Sequence, residues 1–333
     1  MKKIGILTFF EADNYGALLQ CYALRRYCMK LNNDVRVIDY RSKQMFTWKH
    51  RLKNIFVKTL QNKKFDMNRK NFFKVGNKND YYDLLIIGSD QVWNPSIIKG
   101  DNFWLDPKIK YNRLISYAAS LGKSKLDEEE KIFFSNNDFS KYNLITVREK
   151  SGHDVLKKLG INSEIVCDPT LLFYDEPNAY DEIVNQSKVV ENDYVYVYVY
   201  SLEKSKDIDE ISNMIANKYG YKIVSSHPGN DKTQKCDEFV QDTDICDFLC
   251  LIKNAKIVVT NSFHGLAFSY IFRKEVYCVT HTKLGSRQTD LINTSGVKYE
   301  YDNHGQYHIS NYENDEKMKE YIKKSKILLD EQI

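Results

Sequence analysis

The chain has 333 residues, 42% of them hydrophobic and 28% charged, with a formal net charge of +4. That length allows two domains of ordinary size, no segment approaches the ~20 apolar residues of a membrane-spanning helix, and the mild basic excess suits an anionic ligand or membrane surface without demanding nucleic acid. The seven cysteines include no CxxC pair, and no histidine completes a metal set beside Cys246 and Cys250, so they read as reduced, mostly buried thiols.

The basic, briefly apolar N-terminus is too short for a signal peptide and lacks a small-residue cleavage site. It reads instead as a first strand at residues 3–9 (KIGILTF), and the protein is expected in the cytoplasm. Asn14, Tyr15 and Gly16 form a turn signal that opens an amphipathic helix over 16–29. A second strand at 34–40 completes a β–α–β unit, which points to a parallel sheet with right-handed crossover. The glycines do not follow GxGxxG, so the dinucleotide-binding fingerprint is absent. Residues 43–80 are basic and aromatic. They predict one or two amphipathic helices that could lie on a membrane or hold an anionic acceptor, though a helix packing its aromatic rings on the sheet fits such a composition better.

Polar residues then gather at successive strand ends. The strand at 83–89 (DLLIIGS) runs into Asp90 and Gln91. Asp90 suits orienting a sugar hydroxyl or taking its proton, or else capping the turn. A fourth strand at 113–119 precedes a charged helix over 126–137. The strand at 143–147 runs into Arg148, whose guanidinium suits a forked grip on a carboxylate or phosphate, or a salt bridge to Glu149. A helix over 151–159 stops at Gly160, and a sixth strand at 163–167 is closed by Asp168, Pro169 and Thr170.

The polar stretch 174–193, with Pro177, marks a boundary between an N-terminal domain at 1–175 and a C-terminal domain at 176–333. The second half repeats the alternation, with strands at 193–200 (DYVYVYVY), 222–225, 257–259 and 275–279. Its helices are expected at 204–219, 244–254 and 289–294, and a charged C-terminal helix at 310–332 is expected to cross back to the N-terminal domain. The expected fold class is α/β, with two doubly wound β/α domains facing a cleft.

Residues 256–268 (KIVVTNSFHGLAF) draw the most functional interest. A β-branched apolar run ends in good helix N-caps, and His264 stands in the first turn of the helix that follows. Ligands bind at the carboxyl ends of strands in open α/β sheets, and helix N-termini attract anions. The plainer alternative is a histidine in an ordinary β–α turn.

Residues 8–24 (TFFEADNYGALLQCYAL), 88–94 (GSDQVWN), 116–122 (SYAASLG), 147–152 (VREKSG), 167–172 (CDPTLL) and 260–268, with Ser286 and Arg287 beyond, resemble in order and spacing the polysaccharide pyruvyl transferase family. The resemblance implies a GT-B-like fold of two Rossmann-like domains with the active site in the interdomain cleft. It implies phosphoenolpyruvate as donor, a sugar of a polysaccharide precursor as acceptor, a cyclic ketal product, released phosphate, and neither metal nor other cofactor. It is compatible with a lipid-linked acceptor and peripheral association at the inner face of the plasma membrane, and it leaves the oligomeric state open. By motif match, His264 is the donor ligand and candidate acid, with Ser262, Phe263 and Gly265 around it. Relatives carry an arginine two positions before this histidine, where this chain has Ser262, so Arg148 and Arg287 are the candidates to supply the missing charge. Asn14, Tyr15, Gly16, Asp90 and Gln91 fall on the acceptor side, with Asp90 the candidate base.

The residues agree chemically with that implication. Phosphoenolpyruvate carries a carboxylate and a phosphate, which arginine, histidine and a helix N-terminus complement. Two other functions share these features: a glycosyltransferase using a sugar nucleotide, and a non-catalytic polysaccharide-assembly protein.

Overall fold

The computed structural model describes residues 1–30, 32–40, 60–189, 193–200, 203–228, 235–280, 286–302 and 305–333. These fall into two units. The first comprises Met1–Lys58, Arg69–Leu172 and Ile322–Ile333, and the second Thr59–Asn68 and Phe173–Tyr321.

The first unit is built on a seven-stranded, wholly parallel sheet. Its strands are β1 (Lys3–Leu7), β2 (Asp34–Ile38), β3 (Val75–Gly76), β4 (Tyr81–Ile87), β5 (Lys110–Ala119), β6 (Leu144–Val147) and β7 (Glu164–Ile165). They lie in the order β3-β2-β1-β4-β5-β6-β7. Runs such as Leu84–Leu85–Ile86–Ile87 are buried because helices cover both faces of a parallel sheet. The helices are α1 (Tyr15–Met29), α3 (Pro95–Ile98), α4 (Glu128–Ser135) and α5 (Lys150–Lys158), while α2 (Leu60–Phe72) is divided, Leu60–Asn68 belonging to the second unit and Arg69–Phe72 to the first. Two-residue β3 was not foreseen within the basic stretch at 43–80. Of that stretch, residues 43–59 lie outside the described residues, and the remainder forms α2 and β3.

The second unit carries its own seven-stranded sheet, ordered β10-β9-β8-β11-β12-β14-β13. Strands β8 (Tyr194–Tyr198), β9 (Lys222–Ser225), β10 (Glu238–Phe239), β11 (Ile257–Thr260) and β12 (Glu275–Val279) are parallel. The edge pair β13 (Glu300–Tyr301) and β14 (Gln306–Ile309) is antiparallel. Its helices are α6 (Asp181–Val184), α7 (Ser205–Tyr219), α8 (Ile245–Asn254), α9 (Phe263–Ile271) and α10 (Ser286–Ser295), and the last helix of the chain is α11 (Glu316–Asp330). The expectation of one helix over 310–332 is corrected at its start, since α11 begins only at Glu316.

The alternation in YVYVY does not mark a half-exposed strand, since every residue of β8 is buried. The valines join the apolar core on one face. On the other face the tyrosines keep their hydroxyls bonded: Tyr194 donates to the Leu251 carbonyl at 2.8 Å, and Tyr196 Oη lies 2.7 Å from Ser226 Oγ. Tyrosine thus supplies apolar bulk with a satisfied polar tip.

All seven cysteines are free thiols and six are buried. Burial pushes Cys278 up to about 12, so it stays protonated at neutral pH.

Candidate active site

The parallel part of each sheet reverses its strand order at one place, and in open α/β sheets ligands bind at such a switch point, beyond the strands' carboxyl ends. In the first unit the switch lies between β1 and β4; in the second it lies between β8 and β11.

The switch point of the second unit is occupied by the turn carrying His264. Thr260, the last residue of β11, donates its hydroxyl to the Tyr198 carbonyl at 2.7 Å and accepts the Ser262 N–H at 3.0 Å. Ser262 is the N-cap of α9, its Oγ accepting the Gly265 N–H at 3.3 Å. Gly265 is required there: a Cβ would stand 2.5 Å from Thr260 Oγ1, so only glycine lets the helix approach this closely. Asn261 is fixed from both sides, its Oδ1 accepting the Tyr200 N–H at 2.8 Å and its carbonyl accepting from Gln288 Nε2 at 2.8 Å.

All residues of α9 are buried except His264, which is partly exposed. An apolar helix therefore carries one partly exposed polar side chain, its Nε2 buried, at the electropositive N-terminus and at the strand switch. Phe263 packs its ring edge-on to the imidazole, with centroids 5.2 Å apart. Arg287 is partly exposed in the first turn of α10. Its neighbour Gln288 is the residue that bonds this turn to Asn261.

In the first unit, five of the sequence motifs converge on one buried hydrogen-bonded cluster. Thr8 Oγ1 donates to the Ser89 carbonyl at 2.8 Å, and Ser89 Oγ donates to Asp168 Oδ2 at 3.2 Å. Arg148 Nη1 donates to the same Asp168 oxygen at 2.7 Å, while its Nε donates to Glu149 Oε1 at 2.8 Å. Ser120 Oγ completes the set, donating to Glu149 at 2.9 Å. Thr170 satisfies the other Asp168 oxygen through its N–H and hydroxyl.

Asp90 sits just beyond this cluster with φ +72°, a left-handed conformation uncommon for a residue with a side chain. Two backbone bonds hold it, its carbonyl accepting from Val92 at 2.8 Å and from Ser120 at 2.9 Å. The Ser120 bond depends on a bulge in β5: the register with β6 shifts between Ser116 and Ala119, and Ala118 has φ +54°. Bulges commonly re-aim a strand end in this way. Burial alone would lower the Arg148 pKa, but Glu149, Asp168 and Asp90 together raise it above the ordinary arginine value. Asp90 is thus within electrostatic reach of a permanently charged guanidinium.

The expected open grip of Arg148 on a ligand is corrected. Its side chain is 2% exposed and is bonded to Glu149 and Asp168. Tyr15 and Gly16 are likewise buried in α1, Tyr15 completely. Neither side is open to an acceptor, because α1 packs onto the sheet from its first turn. Asn14 is the N-cap, accepting the Ala17 N–H at 3.1 Å. Gln91 is partly exposed and accepts from Asn94 Nδ2 at 2.6 Å. Gly122, at φ +65°, makes room for that pair, since a Cβ would come 2.1 Å from Gln91 Oε1.

Sequence reasoning missed Arg69, from the basic stretch. It is 8% exposed, and it donates to the carbonyls of Phe10 and Glu11, both at 3.1 Å, and pairs with Asp13. Arg69 therefore holds the loop that leads from β1 into Asn14. An arginine in a basic helix carries no sequence signal for such a task.

Among the described residues no group of three or more His, Cys, Asp or Glu side chains is placed to hold a metal ion, and no helix is long and apolar enough to cross a membrane.

A family model described as polysaccharide pyruvyl transferase matches residues 14–283. Comparison with curated proteins finds no match. Among solved structures, the Staphylococcus aureus MnaA–UDP complex is similar, with a TM-score of 0.52 and 13% identity, covering 98% of this chain and 91% of that one. UDP-GlcNAc 2-epimerase from Neisseria meningitidis bound to UDP-GlcNAc gives a TM-score of 0.50 and 12% identity, covering 100% and 99%. At these identities the likeness is one of fold, a GT-B-like pair of Rossmann-like units.

Proposed function

The chain belongs to the polysaccharide pyruvyl transferase family, and from that premise we propose that the His264 turn receives phosphoenolpyruvate while Asp90 and Gln91 serve the acceptor sugar. The enzyme moves the pyruvyl group of phosphoenolpyruvate onto a sugar of a polysaccharide precursor. The single observation behind the site assignment is that His264 is the one partly exposed residue of a buried helix, at a strand switch point.

The chemistry needs few parts. A proton is delivered to the methylene carbon of phosphoenolpyruvate, giving an oxocarbenium-like centre at C2. One sugar hydroxyl adds there and loses its proton, the C2–O bond to phosphate breaks, and a second hydroxyl closes the ketal. An imidazole is well suited to proton delivery near neutral pH. The helix N-terminus and Arg287 complement the phosphate and carboxylate. Asp90 is proposed as the base on the acceptor hydroxyl, with Gln91 beside it. Arg148 acts through Glu149 and Asp168, holding the strand ends that present Asp90. Asn14, Tyr15 and Gly16 open α1 and shape the neighbouring loop.

A lipid-linked acceptor at the inner face of the plasma membrane, reached from the cytoplasm, is part of the same proposal. It draws on the basic excess of the chain.

The test is to incubate the protein with phosphoenolpyruvate and a galactoside or mannoside, and separately with sugar nucleotides. Phosphate release that requires both phosphoenolpyruvate and the sugar, with a ketal in the product, is expected. Nucleotide release without phosphoenolpyruvate turnover would replace this reading with sugar transfer.

A further inference from the structure

Gln288 is 2% exposed, in the first turn of α10 and next to Arg287. Its Nε2 donates to the Asn261 carbonyl at 2.8 Å. Asn261 immediately precedes Ser262, the N-cap of the His264 helix, and its side chain already accepts the Tyr200 N–H just beyond β8. One side-chain amide therefore joins the Arg287 helix to the backbone of the His264 turn.

The other end of that amide is left over. Gln288 Oε1 is buried and has no donor among the described residues. Buried acceptors without partners are rare because each forfeits its hydration. An apolar side chain of the same volume would avoid that loss but could not donate to Asn261. The amide is retained at a cost in packing, and what it returns is the fixed placement of two adjacent elements.

We infer that Gln288 is a positioning residue that sets the spacing between Arg287 and His264, and so the fit of the turn to a small anion carrying a carboxylate and a phosphate. The inference rests on reading the His264 turn as the phosphoenolpyruvate site. Displacing binding groups by about 1 Å through a residue remote from the chemistry is enough to lose roughly 10- to 100-fold. The near-isosteric Gln288→Met removes the orphaned acceptor together with the donor, so its stability effects oppose each other.

The experiment measures KM and kcat for phosphoenolpyruvate, and Tm, in wild type, Gln288→Met and Gln288→Asn. The asparagine variant keeps an amide but is one methylene too short to reach Asn261. Both variants are expected to raise KM for phosphoenolpyruvate roughly 10-fold or more, with kcat and acceptor KM changed far less and Tm moved by under about 4 °C. An unchanged phosphoenolpyruvate KM in either folded variant overturns the inference. So does a loss of kcat that simply follows a fall in Tm. A wild-type chain that turns over no phosphoenolpyruvate overturns the reading of the turn itself, and this inference with it.

Discussion

Arg148 Nη1 and Asp168 Oδ2 stand 2.7 Å apart, with side chains 2% and 0% exposed. The pair joins the end of β6 to the loop after β7, and through Ser89 it reaches the end of β4. Removing one partner strands a charge in a dry interior. Arg148→Ala should therefore cost about 3–5 kcal/mol of stability in a denaturant titration and lower pyruvyl transfer at least ~100-fold. Pairing Arg148→Met with Asp168→Asn should recover much of the stability but little of the activity. Full recovery of both would show that the pair contributes only to packing.

His264 gives the opposite signature. It is partly exposed, so His264→Ala should leave Tm nearly unchanged while lowering turnover at least ~100-fold, the scale of losing a main acid or anion ligand. Steady-state assays beside thermal melts check this. Near-wild-type turnover would remove His264 from the site.

Gly265→Ala tests the close approach of α9 to β11. The added methyl meets Thr260 Oγ1 at 2.5 Å, and that oxygen is held by bonds to Tyr198 and Ser262. Thr260 cannot swing away, so the helix must shift. A loss of about 1–3 kcal/mol is expected, with turnover falling further than stability because His264 rides on the same turn. A variant as stable and active as wild type would mean that the turn yields freely.

Asp315 sets an acid limit on the second unit. It accepts the Tyr174 hydroxyl at 2.9 Å and pairs with Arg273 and Lys319, each at 2.8 Å. Burial alone would raise its pKa, but Lys319, Tyr174 and Arg273 outweigh burial and hold it below the ordinary value of 3.8. A carboxyl shifted down in the folded chain contributes stability above the unfolded value. That contribution is lost as pH falls through the folded value. Asp315→Asn should lower Tm at pH 7 and converge with wild type under strongly acid conditions, as melts across pH would record. A Tm difference that does not depend on pH would contradict the assignment.

Much of the framework was legible because buried parallel strands announce themselves as apolar runs. KIGIL, DLLII and KIVVT all lie where their composition places them. The strand-end motifs were legible as polar clusters, but the direction in which each side chain turns was not. Arg148 follows a strand end as expected, yet it points at Asp168, twenty positions on, which no local pattern encodes. Tyr15 reads as a turn residue but is withdrawn into the core by the packing of α1. Gln288 and Arg69 escaped because their tasks are set by backbone carbonyls far away in sequence. Short edge strands such as β13 and β14 carry too few residues for a periodic signal.

The first unit includes Ile322–Ile333, so its packing draws on a segment made more than three hundred residues after its first strand. Ser325 Oγ accepts the Cys167 N–H at 2.9 Å, and Asp330 accepts the Tyr27 hydroxyl at 2.9 Å. During synthesis the first unit therefore waits, incomplete, while Phe173–Tyr321 of the second is translated. A late segment, 322–333, closes a unit whose strands were all made before it. A stall or frameshift late in the message would damage the amino-terminal unit as surely as an early missense change.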